Sequence, residues 1–410
     1  MKIHLRGKGS SVNCLAKLLR GVPPSANVCD RVVIGSRLAV PAQLLLALSL
    51  GVILSTACAG AGEPSDSAEA PTLQMAAPSD PQEDFPPHVT RLTHFGERAD
   101  WSHDGKRLLF VEKTFGDVYE IEIETRAIRL LTRHFYHEGF LRAMYLSNGD
   151  ILLFGPPEFD PEDPYKSRWR DSQLWVLSHE LDQPPVPLGT EVFEGAAVSR
   201  TQLRIVWMIG HADYYDTDDL LEPRNLPYGT RQFWMADVEY VDGRPRLANK
   251  ELILDSRDLT FDADIEPQNF RPPDERELIF AAYRYNEIEE MGTNAEVIGL
   301  DLETGEVTNY TNSPLYEEPE GIFPDGTRTL VESDRHRGGG DKNIDLYVLR
   351  LDGSGAMTRL TFFNDTPGYK ASNPVVRDDG RFIAFQRARS ADMPGVGHGI
   401  LLYALDPVRD

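Results

Sequence analysis

Cysteine is scarce. The 410 residues hold three, Cys14, Cys29 and Cys58, so a disulfide-built scaffold is excluded and stability must come from core burial. Positive charge is short as well: 42 Lys and Arg stand against 65 Asp and Glu, a formal net charge of −23. Phosphate-backbone binding needs a basic face, so nucleic acid is not an expected partner. No G-x-S-x-G occurs, which a peptidase-type serine hydrolase would need at its nucleophile. The nearest approach to a zinc motif, His134-Phe-Tyr-His137-Glu138, has neither H-E-x-x-H nor H-x-x-E-H order. No convincing amphipathic helix is present. Turn chemistry is plentiful instead. The 33 Gly and 29 Pro suit a turn-rich all-β protein.

Residues 1–57 read as a secretory signal. Lys2, Arg6, Lys8, Lys17, Arg20, Arg31 and Arg37 precede the apolar run Leu44–Leu54, which leads into Ser55-Thr-Ala-Cys58. That is the order of n-region, h-region and small-residue site. The run falls short of the ~20 apolar residues of a spanning helix. Cys58 after small residues resembles the bacterial lipobox, with Ser55 where leucine is commonest. The resemblance implies cleavage before Cys58 and acylation of its thiol. Ordinary cleavage with an incidental cysteine, or an uncleaved signal anchor, are the alternatives. The long basic n-region points to a start near Val32 or Val33. Cleavage removes seven bases and one acid and takes the formal charge from −23 to −29. Acyl chains bind lipid at roughly 0.8 kcal/mol per buried CH₂. Residues 58–87 are then the acylated cysteine and an acidic tether rich in Ala, Pro and Ser, expected to be disordered. The expected location is the bacterial cell envelope, lipid-anchored, in the outer membrane facing the periplasm or the surface.

From His88 onward a pattern repeats. Thr90–Glu112 and Thr358–Gln386 each carry T-R-L-T, a loop, an apolar patch, an Asp-Gly turn and an apolar strand. Asp-Gly between apolar runs is a hairpin signal whose two residues both tolerate positive φ. The turn recurs at Gly105, Gly149, near Thr201, near Asp274, at Gly326 and at Gly380. Each turn is followed by an apolar strand, a second strand and a short edge strand. Six units of four strands over residues 88–410 make a six-bladed β-propeller. The sixth unit has no T-R-L-T strand, and one precedes the first unit at Val89–Thr93. The N-terminal strand is therefore expected to pair into the last blade, closing the ring and removing sheet edges.

Trp101–Phe110 (WSHDGKRLLF), Phe323–Arg328 (FPDGTR) and Val376–Phe385 (VRDDGRFIAF) resemble the repeat of TolB-like propellers. The same repeat occurs in the propeller of dipeptidyl peptidase IV-type enzymes. Departures are His103 for the usual proline, and no Asp-Gly at Ser199–Gln202 or Pro273–Arg276. The resemblance implies an all-β propeller and a protein partner.

In such a fold the loop entering each innermost strand reaches the channel mouth. These loops carry Arg98, Glu138, Glu194, Glu266, Glu320 and Asn373. A ring of carboxylates suits a hard cation such as Ca²⁺; the alternative is that the acids pair with arginines and lock the blades. No other cofactor is called for. The next strands end in Arg284, Asp334, Arg335, His336, Gln386 and Arg387. The three arginines could read an anionic group bidentately or neutralise the carboxylates. Tyr165, Trp169, Tyr214 and Tyr215 lie in long insertions and are candidates for stacking on a sugar or peptide. The function expected is non-catalytic recognition of an envelope protein, peptide or glycan at the channel mouth by a monomer. Two alternatives stand beside it: a metal-dependent hydrolase or lyase on acidic polysaccharide, and a structural envelope component.

Overall fold

The structure is a computed structural model. It describes residues 85–405 apart from 211–219, 222–225, 227–228, 286–292, 340–342 and 394. Cys58, the signal and most of the tether lie outside the described residues, as do Tyr214 and Tyr215.

Six four-stranded antiparallel sheets follow one another along the chain. Strand β1 is Val89–Arg91. Blade 1 is β2 to β5: Glu97–Trp101, Arg107–Val111, Val118–Glu122 and Ile128–Leu130. Blade 2 is β6 to β9: Arg142–Tyr145, Ile151–Gly155, Gln173–Leu177 and Val186–Glu191. Blade 3 is β10 to β13: Ala196–Val198, Arg204–Gly210, Arg231–Val241 and Arg244–Asp255. Blade 4 is β14 to β17: Asp264–Phe270, Glu277–Tyr285, Thr293–Asp301 and Val307–Asn309. Blade 5 is β18 to β21: Glu317–Ile322, Arg328–Ser333, Asp345–Arg350 and Met357–Arg359. Blade 6 is β22 to β24: Tyr369–Val376, Phe382–Arg389 and Ile400–Ala404.

The fourth strand of blade 6 is β1. Val89, Thr90 and Arg91 pair antiparallel with Tyr403, Leu402 and Leu401. The ring closes as expected from the displaced T-R-L-T segment, and the all-β six-bladed propeller stands.

Both faces of each blade are apolar, and buried apolar clusters fill all six junctions. Leu109, Val111 and Leu153 join blades 1 and 2. Phe154, Trp207 and Ile209 join 2 and 3. Phe233, Phe270 and Phe280 join 3 and 4. Ile279, Val331 and Leu349 join 4 and 5. Phe323, Leu330 and Phe385 join 5 and 6. Trp101, Phe110 and Leu402 join 6 and 1. Each such side chain is worth roughly 1.5–3 kcal/mol when removed from water, so the ring is held by its junctions.

Two local expectations differ. In the Asp-Gly turns only the glycine has positive φ, +66° at Gly105 and +69° at Gly380. Asp104 instead accepts hydrogen bonds from Ser102 Oγ and Lys106 N, and Gly105 N donates to Ser102 O at 2.8 Å. The turn is a wider loop with one left-handed residue, not a two-residue hairpin. A short helix, α1 (Pro164–Trp169), stands in the blade 2 insertion, with Pro at its first turn and the Asp163 carboxylate accepting from Lys166 N.

Candidate functional site

The innermost strands β2, β18 and β22 carry register shifts, between Glu97 and Asp100, Pro319 and Ile322, and Ser372 and Val375. At these bulges Arg98 and Asn373 take φ of +53° and +48°, and Glu194, entering β10, takes +64°. A bulge breaks the strict alternation of side chains and re-aims one of them. Here it brings polar groups from several blades to the axis.

Blade 5 supplies the core of this site. Glu318 and Glu332 are opposed across β18 and β19, and Glu320 lies two residues on. One carboxylate oxygen from each lies within 4.8 Å of the others, with all three residues less than 9 % exposed. Neighbours satisfy them. Glu318 accepts the phenol O–H groups of Tyr283 and Tyr316. The Tyr283 hydroxyl also lies 3.0 Å from the Glu266 carboxylate. Asn373 donates its backbone N–H to Glu332 and its amide to Glu320 at 3.1 Å. Arg142 reaches Glu320 at 3.7 Å. Blades 2 and 5 are opposite in a six-membered ring, so this ion pair crosses the axis.

The charges do not balance locally. Burial, then the carboxylates of Glu194 and Glu318, push Glu266 up to about 7. Burial and Glu318 push Glu332 up to about 8. Burial, Glu332 and Glu318 likewise raise Glu320. Like charges in a buried site cannot all ionise, so the cluster retains protons near neutrality. Burial would lower Arg98, but Glu97, Glu194, Glu266 and Glu320 outweigh it. Burial would raise Glu194, but Arg168, Trp169 and Arg98 hold it below the usual range. Arg168 and the Trp169 indole N–H both contact the Glu194 carboxylate, the latter at 2.7 Å.

The opposite end of the axis is also spanned. Arg200, in the blade 3 turn, donates to Trp101 O at 3.3 and 3.2 Å in blade 1 and to Asp378 at 2.7 Å in blade 6. His103 lies 3.6 Å from the same Asp378 and 2.9 Å from Leu146 O. The departures from the repeat at Ser199–Gln202 and at His103 thus sit where blades meet.

The structure brings Arg98, Glu194, Glu266, Glu320, Asn373 and Gln386 to the axis; Gln386 accepts from Arg98 N at 2.7 Å. The others are placed elsewhere. Arg284 pairs with Glu296, and Arg335 with the buried Glu317, each at 2.6 Å. Asp334 accepts from Tyr316 N at 3.2 Å. His336 stands between Tyr347 and Asn364, both at 3.1 Å. Arg387 donates its backbone N–H to Gly399 O. Glu138 accepts from Tyr136 on the mouth face. Arg142, Tyr283 and Tyr316 were not foreseen. Only the alternation of Tyr283 with its strand neighbours could have pointed to the axis, since phenols carry no repeat signal. A separate cleft of about 720 Å³, lined by Phe323, Leu351, Leu360 and Leu405, lies on the turn side of blade 5.

No family model and no curated protein matches the chain. Solved structures similar to it include TolB from Acinetobacter baumannii, at 16 % identity over 73 % of this chain and 64 % of that one, TM-score 0.40. The chain thus spans less than two thirds of that protein's length. They also include an oligogalacturonate lyase from Vibrio parahaemolyticus, at 12 % identity over 78 % and 94 %, TM-score 0.43. A gluconolactonase from Xanthomonas campestris shares 12 % identity over 77 % and 89 %, TM-score 0.45. The likeness to TolB and to the two enzymes is one of propeller fold, and the fold itself rests on this chain's own strand pairing.

Proposed function

We propose that the chain is an envelope-anchored binding propeller that recognises a protein, peptide or glycan at its channel mouth without catalysis. The observation that carries this reading is the state of the axial carboxylates. They are engaged by Arg98, Arg142, Asn373, Tyr283 and Tyr316. Among the described residues, His137 and His398 pair with Asp117 and Asp392, away from Glu318, Glu320 and Glu332. Lipid attachment at Cys58 would hold the propeller at a membrane through a short acidic tether. The test is cross-linking of the intact lipidated protein in an envelope extract, read by mass spectrometry, beside an Arg98→Ala variant. A partner captured by the native chain and lost by the variant is the expected result. No enriched partner, or equal capture by both, would refute it.

A second reading places a hard cation such as Ca²⁺ on Glu318, Glu320 and Glu332, in a hydrolase or lyase acting on acidic polysaccharide. The all-oxygen donor set favours it. The fit is partial, because protein donors already occupy oxygens of all three carboxylates. Stoichiometric metal surviving dialysis would support this reading over the first.

A further inference from the structure

We propose that the blade 2 side of the channel mouth docks a lysine- or arginine-bearing extended segment of a partner protein; this rests on the binding reading above. Two connections meet there. One leads into β6 and carries Tyr136 and Glu138; the other joins β7 to β8 and carries Glu158, Glu162 and Tyr165. Both lie on the mouth face, because β6 runs from the mouth to the Asn148-Gly149 turn and β7 runs back.

Two large rings are left in water on this face, Tyr136 at 86 % and Tyr165 at 49 % exposure. They are not loose. Tyr165 stacks on Trp169 with centroids 4.7 Å apart, and Trp169 lies against Phe193 at 6.1 Å. Phe159 from the same insertion packs on Phe115 of blade 1 at 4.5 Å. Tyr136 is tied to Glu138 by its O–H, and Glu158 lies close enough to raise the same phenol further.

The net charge on this surface is negative. Arg168 turns inward to Glu194, while Lys166 and Arg170 pair with Asp171. Glu138, Glu158 and Glu162 take part in no ion pair among the described residues. Arg133 on the same connection as Glu138, and Lys113 on the β3–β4 connection, do not offset Glu138, Glu158 and Glu162, so the face is net acidic. Exposed aromatic faces beside carboxylates without an ion-pair partner suit a cationic side chain, which gains from both ring quadrupole and charge. A neutral glycan would use the rings but leave the carboxylates without a role, and an anionic one would be repelled.

The full chain is titrated with a fluorescein-labelled alternating lysine–alanine decapeptide and, separately, with its glutamate–alanine counterpart and an oligogalacturonate. The lysine peptide is expected to bind, weakening as salt rises. Glu138→Gln/Glu158→Gln should weaken it about three- to ten-fold, and Tyr136→Ala/Tyr165→Ala by a similar factor. Glu124→Gln/Glu180→Gln, on the turn face, removes the same charge and should leave binding unchanged. Equal affinity for both peptides, equal losses in the turn-face control, or preference for the oligosaccharide would overturn the proposal. If the envelope capture described above succeeds while the lysine peptide fails, only this inference falls. If both fail, the binding reading falls with it.

Discussion

Replacing Glu332 by glutamine should make the propeller less sensitive to alkaline pH. Glu332 has its carboxyl pushed from an ordinary 4.5 up to about 8 by burial and by Glu318. The folded state therefore binds this proton more tightly than the unfolded chain. The resulting stabilisation is complete below about pH 4.5 and lost as pH rises through about 8. At about 1.4 kcal/mol per unit, the ceiling is roughly 5 kcal/mol. Glu266, pushed up to about 7, acts in the same direction over a lower window. The two share Glu318 as a neighbour, so their effects do not add. A loss of about 2–3 kcal/mol between pH 6 and pH 9 is expected in the native chain. Tyr283 and Tyr316 are raised and stay neutral there. Asp255, lowered to about 2, loses its contribution only at acid pH. Glutamine keeps an oxygen for the Asn373 N–H and carries no charge. Glu332→Gln should therefore shed about half of the alkaline loss. Urea-unfolding midpoints at pH 6 and pH 9 measure both quantities. A native protein equally stable at the two values, or a variant with the native slope, would refute the reasoning.

Other outcomes follow from the ring itself. Arg200→Ala removes the donor that joins blade 3 to Trp101 O and Asp378 and leaves Asp100, raised by burial against the pull of Arg200, without its cation. A loss of about 2–4 kcal/mol by thermal unfolding is expected, with little recovery in Arg200→Lys, which has no fork; an unchanged midpoint would contradict an axial role. Trp101→Ala empties the junction of blades 6 and 1, where the ring is 1 % exposed and its N–H donates to Val375 O at 3.2 Å. About 3–5 kcal/mol should be lost, read by urea denaturation, and a loss below about 1 kcal/mol would argue against tight packing there. A Val89→Cys/Tyr403→Cys pair, opposed across β1 and β24, should oxidise to a disulfide and raise the unfolding temperature. Free thiols after mild oxidation would mean that the closure strand is elsewhere.

The ring was legible from two signals. One is an apolar strand after a glycine that must be left-handed, as at Gly105, Gly149, Gly326 and Gly380. The other is the displaced Val89–Thr93 strand, which makes sense only if the ends meet. Edges were harder. The β12–β13 hairpin runs to Asp255 from Arg231, longer than the apolar segments suggested, because its outer half is polar and supported only by its partner strand. Axial residues were half legible. Inner-strand carboxylates announce themselves by position, yet the direction of a side chain at a bulge depends on one local register shift. Arg284 and Arg335 share the strand-end position of Gln386, but each finds a carboxylate of its own sheet first.

A propeller built from identical units would place six identical side chains around its axis. Six carboxylates within a few ångströms could not all stay ionised and buried. The ring therefore has to depart from its repeat at the centre, and the departures here are complementary. Blades 3, 4 and 5 bring Glu194, Glu266, Glu318 and Glu320, while blades 1 and 2 bring Arg98 and Arg142, and blade 6 brings the neutral Asn373. Blade 3 loses its Asp-Gly turn and gains Arg200, which holds the far end. The repeated turns thus account for the scaffold, whereas the breaks in the pattern set the axial charge. An excess of acid remains at the centre after pairing, partly covered by protons, and the mouth above it is acidic too. Any partner that approaches this end meets a field that favours cations, whatever contacts complete its recognition.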